Sequence, residues 1–130
     1  MTKWRVVSRK VVAYGLLIGI LIGSFLPPRD MSLLALPGND KVHHATLYML
    51  LTLSFLWPYR RSSLRCWWRV IVPIWCMGAI IEPLQPIISP GRECDIYDLL
   101  ANSSGITLAV LMQFFWQKWN ACRTDSYISG

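Results

Sequence analysis

The sequence predicts an all-α integral membrane protein, a bundle of four membrane-spanning helices with the N- and C-termini in the cytoplasm. Three observations support this prediction: 54% of the 130 residues are hydrophobic, only 15% are charged, and the apolar residues fall into four blocks. Seven tryptophans are also unusual for a soluble protein of this length. A single domain covers residues 1–130, because no repeat, low-complexity tract or linker divides the chain.

The four apolar blocks predict membrane spans at about residues 8–26, 41–57, 67–82 and 96–117. The apolar part of each block gives roughly 23 to 27 Å of helix, slightly less than the ~30 Å hydrocarbon core of a bilayer. Basic and aromatic side chains at the ends extend to the headgroups and make up the difference. A soluble bundle is disfavoured, because no block has the wide charged face of a water-exposed helix.

The orientation is predicted from the distribution of the 13 lysines and arginines. Ten of them precede the first block, lie between the second and third, or follow the fourth. The other two connections contain Arg29, Lys41 and Arg92 together with six of the seven acidic residues. By the positive-inside rule, these two connections face the extracytoplasmic side. The net charge of +6 therefore indicates membrane topology, and we expect the lipid bilayer and no nucleic acid as a partner.

The first block is interpreted as an uncleaved span, because no Ala-x-Ala-like cleavage site follows it. Gly15, Gly19 and Gly23 recur there at four-residue spacing. Such a ridge of small residues allows the backbone of a neighbouring helix to approach closely. We therefore predict that the first helix packs through this ridge.

One stripe of the fourth helix is polar or small and is formed by Asp95, Asp98, Asn102 and Gly105. At about 100° per residue, these positions lie within about 80° of one another. Glu82 and Gln85 lie just upstream, before a Pro- and Gly-rich run that turns the chain around. We expect their side chains to return to the same end of the bundle.

The second helix has a matching stripe, formed by Lys41, His44, Tyr48 and Thr52. His43 points about 100° or more away from it. An ionisable group at the centre of a bilayer costs about 2.5 to 3.5 kcal/mol on insertion scales. This stripe should therefore face protein or water.

Taken together, these motifs have a recognisable order: Asp40-Lys41-x-x-His44, Tyr48, Glu82-x-x-Gln85 and Arg92-x-x-Asp95-x-x-Asp98-x-x-x-Asn102-x-x-Gly105. This order resembles the VanZ-like family of small bacterial membrane proteins, named after a member associated with teicoplanin resistance. The resemblance implies a multi-pass location in the bacterial inner membrane and an extracytoplasmic role at the cell envelope. Because proline follows Glu82 and Gln85, we expect the third helix to break or be remodelled there.

Three interpretations of the polar residues stay open. In the first, Arg92 and Lys41 pair with the carboxylates, and Asn102 and Gln85 bond exposed backbone. The cluster then only fixes how the helices pack. Another interpretation is a non-catalytic accessory subunit, packed through its helix surfaces against a larger membrane complex or against copies of itself.

The remaining interpretation is a site open to the extracytoplasmic side, where an envelope-related, lipid-linked substrate is bound or processed. The candidate catalytic residues are Glu82, Asp95, Asp98 and His44. The three carboxylates could act as acids and bases or hold a divalent cation, with His44 as the proton carrier. The candidate ligand-binding residues are Lys41, Tyr48, Gln85, Arg92 and Asn102, of which the two cations would hold an anion.

Overall fold

The computed structural model describes residues 3–26, 40–59, 62–89, 91 and 93–128. They form four α-helices, α1 (Lys3–Phe25), α2 (Asp40–Leu56), α3 (Leu64–Ile88) and α4 (Ile96–Ile128), with a short 3-10 helix, Trp57–Tyr59, after α2. No strand occurs among these residues. The predicted all-α class is thus confirmed for the part of the chain that the structure describes.

Among the described residues, two helices are long and apolar enough to cross a membrane, α3 and the Ile96–Cys122 part of α4. Only 28% of the most apolar stretch of each is buried within the protein, whereas the core helix of a soluble protein would be mostly buried. Large apolar side chains are exposed on all four helices, for example Ile18, Leu47, Ile80 and Leu108. An apolar exterior of this extent is suited to a lipid environment.

The interior contains a cluster to which every helix contributes: Ile20, Tyr48, Leu51, Ile74 and Ile106. Near the other end of the bundle, the indole of Trp67 is buried and its Nε1 donates a hydrogen bond to the carbonyl of Tyr59 at 2.9 Å. This bond ties the start of α3 to the 3-10 helix.

Helices α2 and α4 make the most extensive contact between helices. The contact is closest at Gly105, where an added Cβ would lie 2.1 Å from the backbone oxygen of Ala45. Gly78 of α3 lies close to both helices, because a Cβ there would be 3.1 Å from the Tyr48 hydroxyl and 3.3 Å from Asn102 Nδ2. These two glycines therefore set the separation of the three helices.

The predicted glycine ridge of α1 is not used in this way. A Cβ added at Gly15, Gly19 or Gly23 would have no atom of the described residues within 4 Å. Helix α1 packs on the bundle through another face, which contains Ala13, Leu16, Leu17 and Ile20. Their spacing of three and four residues gives a continuous apolar stripe, which buries more surface than glycines do.

The expected break of the third helix at Glu82 to Pro86 is wrong, since α3 continues through Pro83 and Pro86 as far as Ile88. Each proline removes one N–H donor, but in apolar surroundings no water competes for the remaining backbone hydrogen bonds. The helix ends at Ser89, whose N–H donates to the carbonyl of Gln85 at 2.8 Å.

Replacement of Gly105 by alanine tests the contact between α2 and α4. The new methyl group would overlap the backbone at Ala45, and such overpacking costs about 1–3 kcal/mol. This cost outweighs the roughly 1 kcal/mol that alanine contributes through its higher helix propensity. We expect Gly105→Ala to lower the thermal midpoint of the protein in detergent, measured by circular dichroism.

Gly19→Ala is the matched control, because its methyl group would meet nothing within 4 Å. Its midpoint should be unchanged or slightly higher. Equal midpoints for the two variants would contradict the close contact at Gly105.

Candidate functional site

An ion-pair network joins α2 to the start of α4. Lys41 Nζ donates to Asp95 Oδ2 at 2.5 Å and to Asp98 Oδ1 at 2.9 Å. The side chains of Lys41 and Asp95 are 39% and 38% exposed, whereas that of Asp98 is only 9% exposed. The ammonium group also lies 5.5 Å from the centre of the Tyr97 ring, within the range of a cation–π interaction. The network thus extends from the surface into the interior.

The environment of Asp95 stabilises its charged form. The hydrogen bond from Lys41 is the main cause that lowers the pKa of this carboxyl group, and a bond from the backbone N–H of Tyr97 to Asp95 Oδ1 at 2.8 Å adds to it. Asp95 therefore holds Lys41 in place over the whole range in which the carboxyl group is ionised.

The imidazole of His44 is oriented by Asn102. His44 Nδ1 lies 3.1 Å from Asn102 Oδ1, and because an amide oxygen can only accept, Nδ1 is the donor. In the neutral ring Nε2 then has a lone pair, and it lies 3.9 Å from Asp98 Oδ2 and 4.0 Å from Asp40 Oδ2. His44 Nε2 thus faces two carboxylates.

Further polar side chains lie deeper in the interior than Lys41 and His44. Asn102 Nδ2 and the Tyr48 hydroxyl both lie against Gly78, and the Glu82 carboxylate is within electrostatic range of Tyr48. Tyr48 and Asn102 are 3% and 2% exposed, and Glu82 is 3% exposed. These residues lie buried beneath the Lys41–Asp95 pair. We use the word cleft for this inward-directed group of polar side chains, with the Lys41–Asp95 pair as its mouth and the buried residues as its floor.

Buried polar side chains lie on one face of α3 and at the residue that follows it: Glu82, Gln85 and Ser89, three and four residues apart. Gln85 and Ser89 are each 1% exposed. Within the described part of the chain, neither Gln85 Nε2 nor Ser89 Oγ has a hydrogen-bond partner. Buried polar atoms are bonded in the great majority of cases, so these two atoms indicate a place where a ligand or further chain could bind.

The structure brings together most of the residues predicted for the site. Direct contacts join Lys41, His44, Asp95, Asp98 and Asn102. The roles predicted for these residues stay predictions. Arg92 lies outside the described residues.

Three further residues were not predicted as catalytic or ligand-binding residues: Asp40, Gly78 and Ser89. Asp40 lies four residues before His44, and Ser89 lies four residues after Gln85. Residues four apart share one face of a helix, so both could have been added to the site from the sequence. Among the described residues, the ligand atoms of Asp40, His44 and Asp98 lie within 4.8 Å of one another. This group differs from the cation site predicted at Glu82, Asp95 and Asp98.

The Lys41–Asp95 interaction should depend on pH in a defined direction. Because the pKa of Asp95 is lowered on folding, the interaction stabilises the protein above about pH 4 and is lost as the pH falls through the lower folded pKa. We expect the thermal midpoints of the wild type and Asp95→Asn to differ by a constant amount between pH 7 and about 5. This difference should shrink as the pH falls below about 4 and should be lost below the lowered folded pKa of Asp95, where both side chains are neutral.

Glu93→Gln is the control for this measurement, because Glu93 is an exposed carboxylate two residues away. Its midpoint should follow that of the wild type at every pH. A difference between wild type and Asp95→Asn that persists unchanged at pH 2 would contradict the pairing.

Comparison with known proteins adds to this geometry. The chain is 32% identical over 85 residues to an uncharacterized protein of the yeast Schizosaccharomyces pombe, C11E3.10. The match covers 65% of this chain and 52% of the yeast protein, so the chain spans about half the length of this curated relative. No solved structure matches the chain.

The model of the VanZ/LLP1 family matches residues 40–117. This stretch is more than half of the chain. It includes the whole motif from Asp40 to Gly105, all of α2 and α3, and α4 as far as residue 117. The chain therefore belongs to the VanZ/LLP1 family.

Proposed function

We propose that this protein is a multi-pass membrane protein with cytoplasmic termini, and that its cleft binds a lipid-linked substrate at the extracytoplasmic side. One observation carries the proposal: polar side chains from α2, α3 and α4 gather in the interior at one end, while the helix exteriors are apolar. Ionisable groups inside a membrane protein are costly and mark functional sites. In a bacterial cell, this location is the inner membrane.

The exposure of the polar side chains decreases from the mouth of the cleft to its floor. The Lys41–Asp95 pair is more than a third exposed, the His44 side chain is 16% exposed, and Tyr48 is 3% exposed. Under this proposal, a headgroup would bind beside the ion pair and reach groups that are progressively less hydrated. The partnerless polar atoms of Gln85 and Ser89 supply one donor and one hydroxyl for it.

The charge of the described cleft favours particular headgroups. Four carboxylates contribute to it, those of Asp40, Glu82, Asp95 and Asp98, against the single ammonium group of Lys41. Lys41 already binds two of these carboxylates, so it does not attract an additional anion strongly. The described groups thus favour hydroxyl, amine or amide donors, as in sugar or peptide headgroups.

The yeast relative bears on the nature of the substrate. Teicoplanin resistance is associated with the member that gave the family its name, whereas the relative belongs to a yeast. We therefore propose a class of lipid-linked headgroup that occurs in envelopes of both kinds of cell. Resistance to a glycopeptide would be one consequence of binding such a headgroup.

The proposal is tested by the lipids that copurify with the full chain in a gentle detergent. We expect mass spectrometry of the wild type to find a retained lipid-linked species. Asp98→Asn, His44→Ala and Gln85→Leu should each reduce its amount at least tenfold. Ser104→Ala is the matched control, because Ser104 is exposed and its hydroxyl bonds the carbonyl of Leu100 in its own helix.

Equal lipid content in all four variants and the wild type would contradict substrate binding in the cleft. A cellular assay gives a second criterion. If Asp95→Asn, Asp98→Asn and His44→Ala left an envelope or glycopeptide phenotype intact at normal expression, the proposal would fail.

The orientation is tested with two cysteines that the chain already has. Cys94 is exposed beside the cleft, and Cys122 is exposed towards the other end of α4. Variants retaining only one cysteine are treated with a membrane-impermeant maleimide in intact cells. We expect labelling of Cys94 and protection of Cys122 until the membrane is permeabilised. The reverse pattern would place the cleft in the cytoplasm.

A second candidate function, an accessory subunit of a larger membrane complex, is favoured by the glycine ridge of α1. Gly15 and Gly19 are exposed and face away from the rest of the described chain. Another helix could pack closely there. A monodisperse monomer with no copurifying protein in gentle detergent would count against this candidate.

A further inference from the structure

Three potential ligand atoms face one another at the mouth of the cleft. His44 Nε2 lies 3.9 Å from Asp98 Oδ2 and 4.0 Å from Asp40 Oδ2, and all three lie within 4.8 Å of one another. These separations are too long for hydrogen bonds. A shared cation would draw the three atoms closer by about 0.5 Å, since bonds of about 2.0–2.2 Å place two ligand atoms about 3.4 Å apart in a tetrahedral site.

The imidazole has the orientation that a metal ligand requires. Asn102 Oδ1 accepts from His44 Nδ1 at 3.1 Å, which leaves the lone pair of Nε2 for a metal. Metal-binding histidines usually donate their other N–H to an oxygen in this way. Asn102 is 2% exposed and its Nδ2 lies against Gly78, so the amide that orients the ring is itself held by packing.

The two oxygens of Asp98 have different partners. Oδ1 accepts from Lys41 at 2.9 Å, whereas Oδ2 is directed towards His44. Lys41 is also bound by Asp95, so its positive charge is already offset by two carboxylates. With Asp40 added, the summed charge of the described groups at the mouth of the cleft is negative and favours a bound cation.

We propose that Asp40, His44 and Asp98 form a binding site for a divalent transition-metal ion. One imidazole nitrogen and two carboxylate oxygens suit Zn²⁺, Mn²⁺ or Fe²⁺, whereas Ca²⁺ and Mg²⁺ prefer oxygen ligands alone. Three protein ligands leave a coordination position open to the solvent-exposed side, where Asp40 is 65% exposed. The metal site is separate from the proposed substrate binding. Metal binding is measured without a substrate, so either proposal can fail while the other holds.

The site is tested with Co²⁺ as the probe, added to the full chain in detergent after treatment with a chelator. We expect the wild type to bind one Co²⁺ per chain, with visible absorption bands that saturate at one equivalent. His44→Ala should weaken this binding at least tenfold. His43→Ala is the matched control, because His43 is the neighbouring residue on α2 and lies outside the group.

Two further variants distinguish metal binding from a loss of folding. Asp40→Asn changes an exposed side chain, so the fold should be retained while Co²⁺ binding weakens. Asn102→Ala should weaken binding by roughly 10- to 100-fold, as expected for a residue that orients a ligand. The four cysteines are present in every variant, so any binding to them cancels in the comparison.

The proposal is overturned if the wild type shows no saturable binding up to one equivalent of Co²⁺. It is also overturned if His44→Ala and His43→Ala bind Co²⁺ with equal affinity. Both results are independent of whether a lipid copurifies with the protein.

Discussion

The close contact of α2 and α4 at Gly105 and Ala45 is the constraint on which the cleft depends. Ala45 directly follows His44, and Gly105 lies one helical turn after Asn102. Because the two backbones touch there, neither helix can slide or rotate without a clash, and Lys41 and His44 are held against their partners on α4. A side chain at position 105 would separate the helices and the polar pairs together. Helix packing and the chemistry of the cleft therefore depend on the same few atoms.

Helical spacing, together with the apolar surroundings, predicts that the polar stripes of α2 and α4 face the interior. The stripes beginning at Lys41 and at Asp95 repeat every three or four residues, which fixes them on single faces whatever the neighbouring helices do. In an apolar environment such stripes must turn inward, so their meeting follows from the cost of exposing charge to lipid. The same spacing predicts that Ser103 and Ser104 point elsewhere, and both bond carbonyls of their own helix.

Other features depend on three-dimensional detail that spacing does not contain. Nothing in the sequence distinguishes Gly78 from Gly15 and Gly19. Only the way the helices cross places Gly78 against Tyr48 and Asn102 and leaves the other two glycines without a close neighbour among the described residues. The role proposed for Asp40 depends on which oxygen of Asp98 is bonded to Lys41, and side-chain rotamers decide this. The prolines of α3 predicted a break in the helix that does not occur. In water, solvent can bond to the backbone groups that a proline leaves unpaired, whereas in apolar surroundings no water competes for the remaining helix hydrogen bonds.

Pro83 and Pro86 give the two sides of the cleft different stiffness. Each lacks the N–H that would bond the carbonyl four residues earlier, so fewer backbone bonds resist bending in the last turns of α3. The opposite side, α2 against α4, is fixed at Gly105. Bending of α3 would move Gln85 and Ser89 as a unit while leaving His44 and its partners in place. The cleft thus has one wall that is fixed by close helix packing and one that bends more easily. Under the proposed function, this difference would let it accept headgroups of different width.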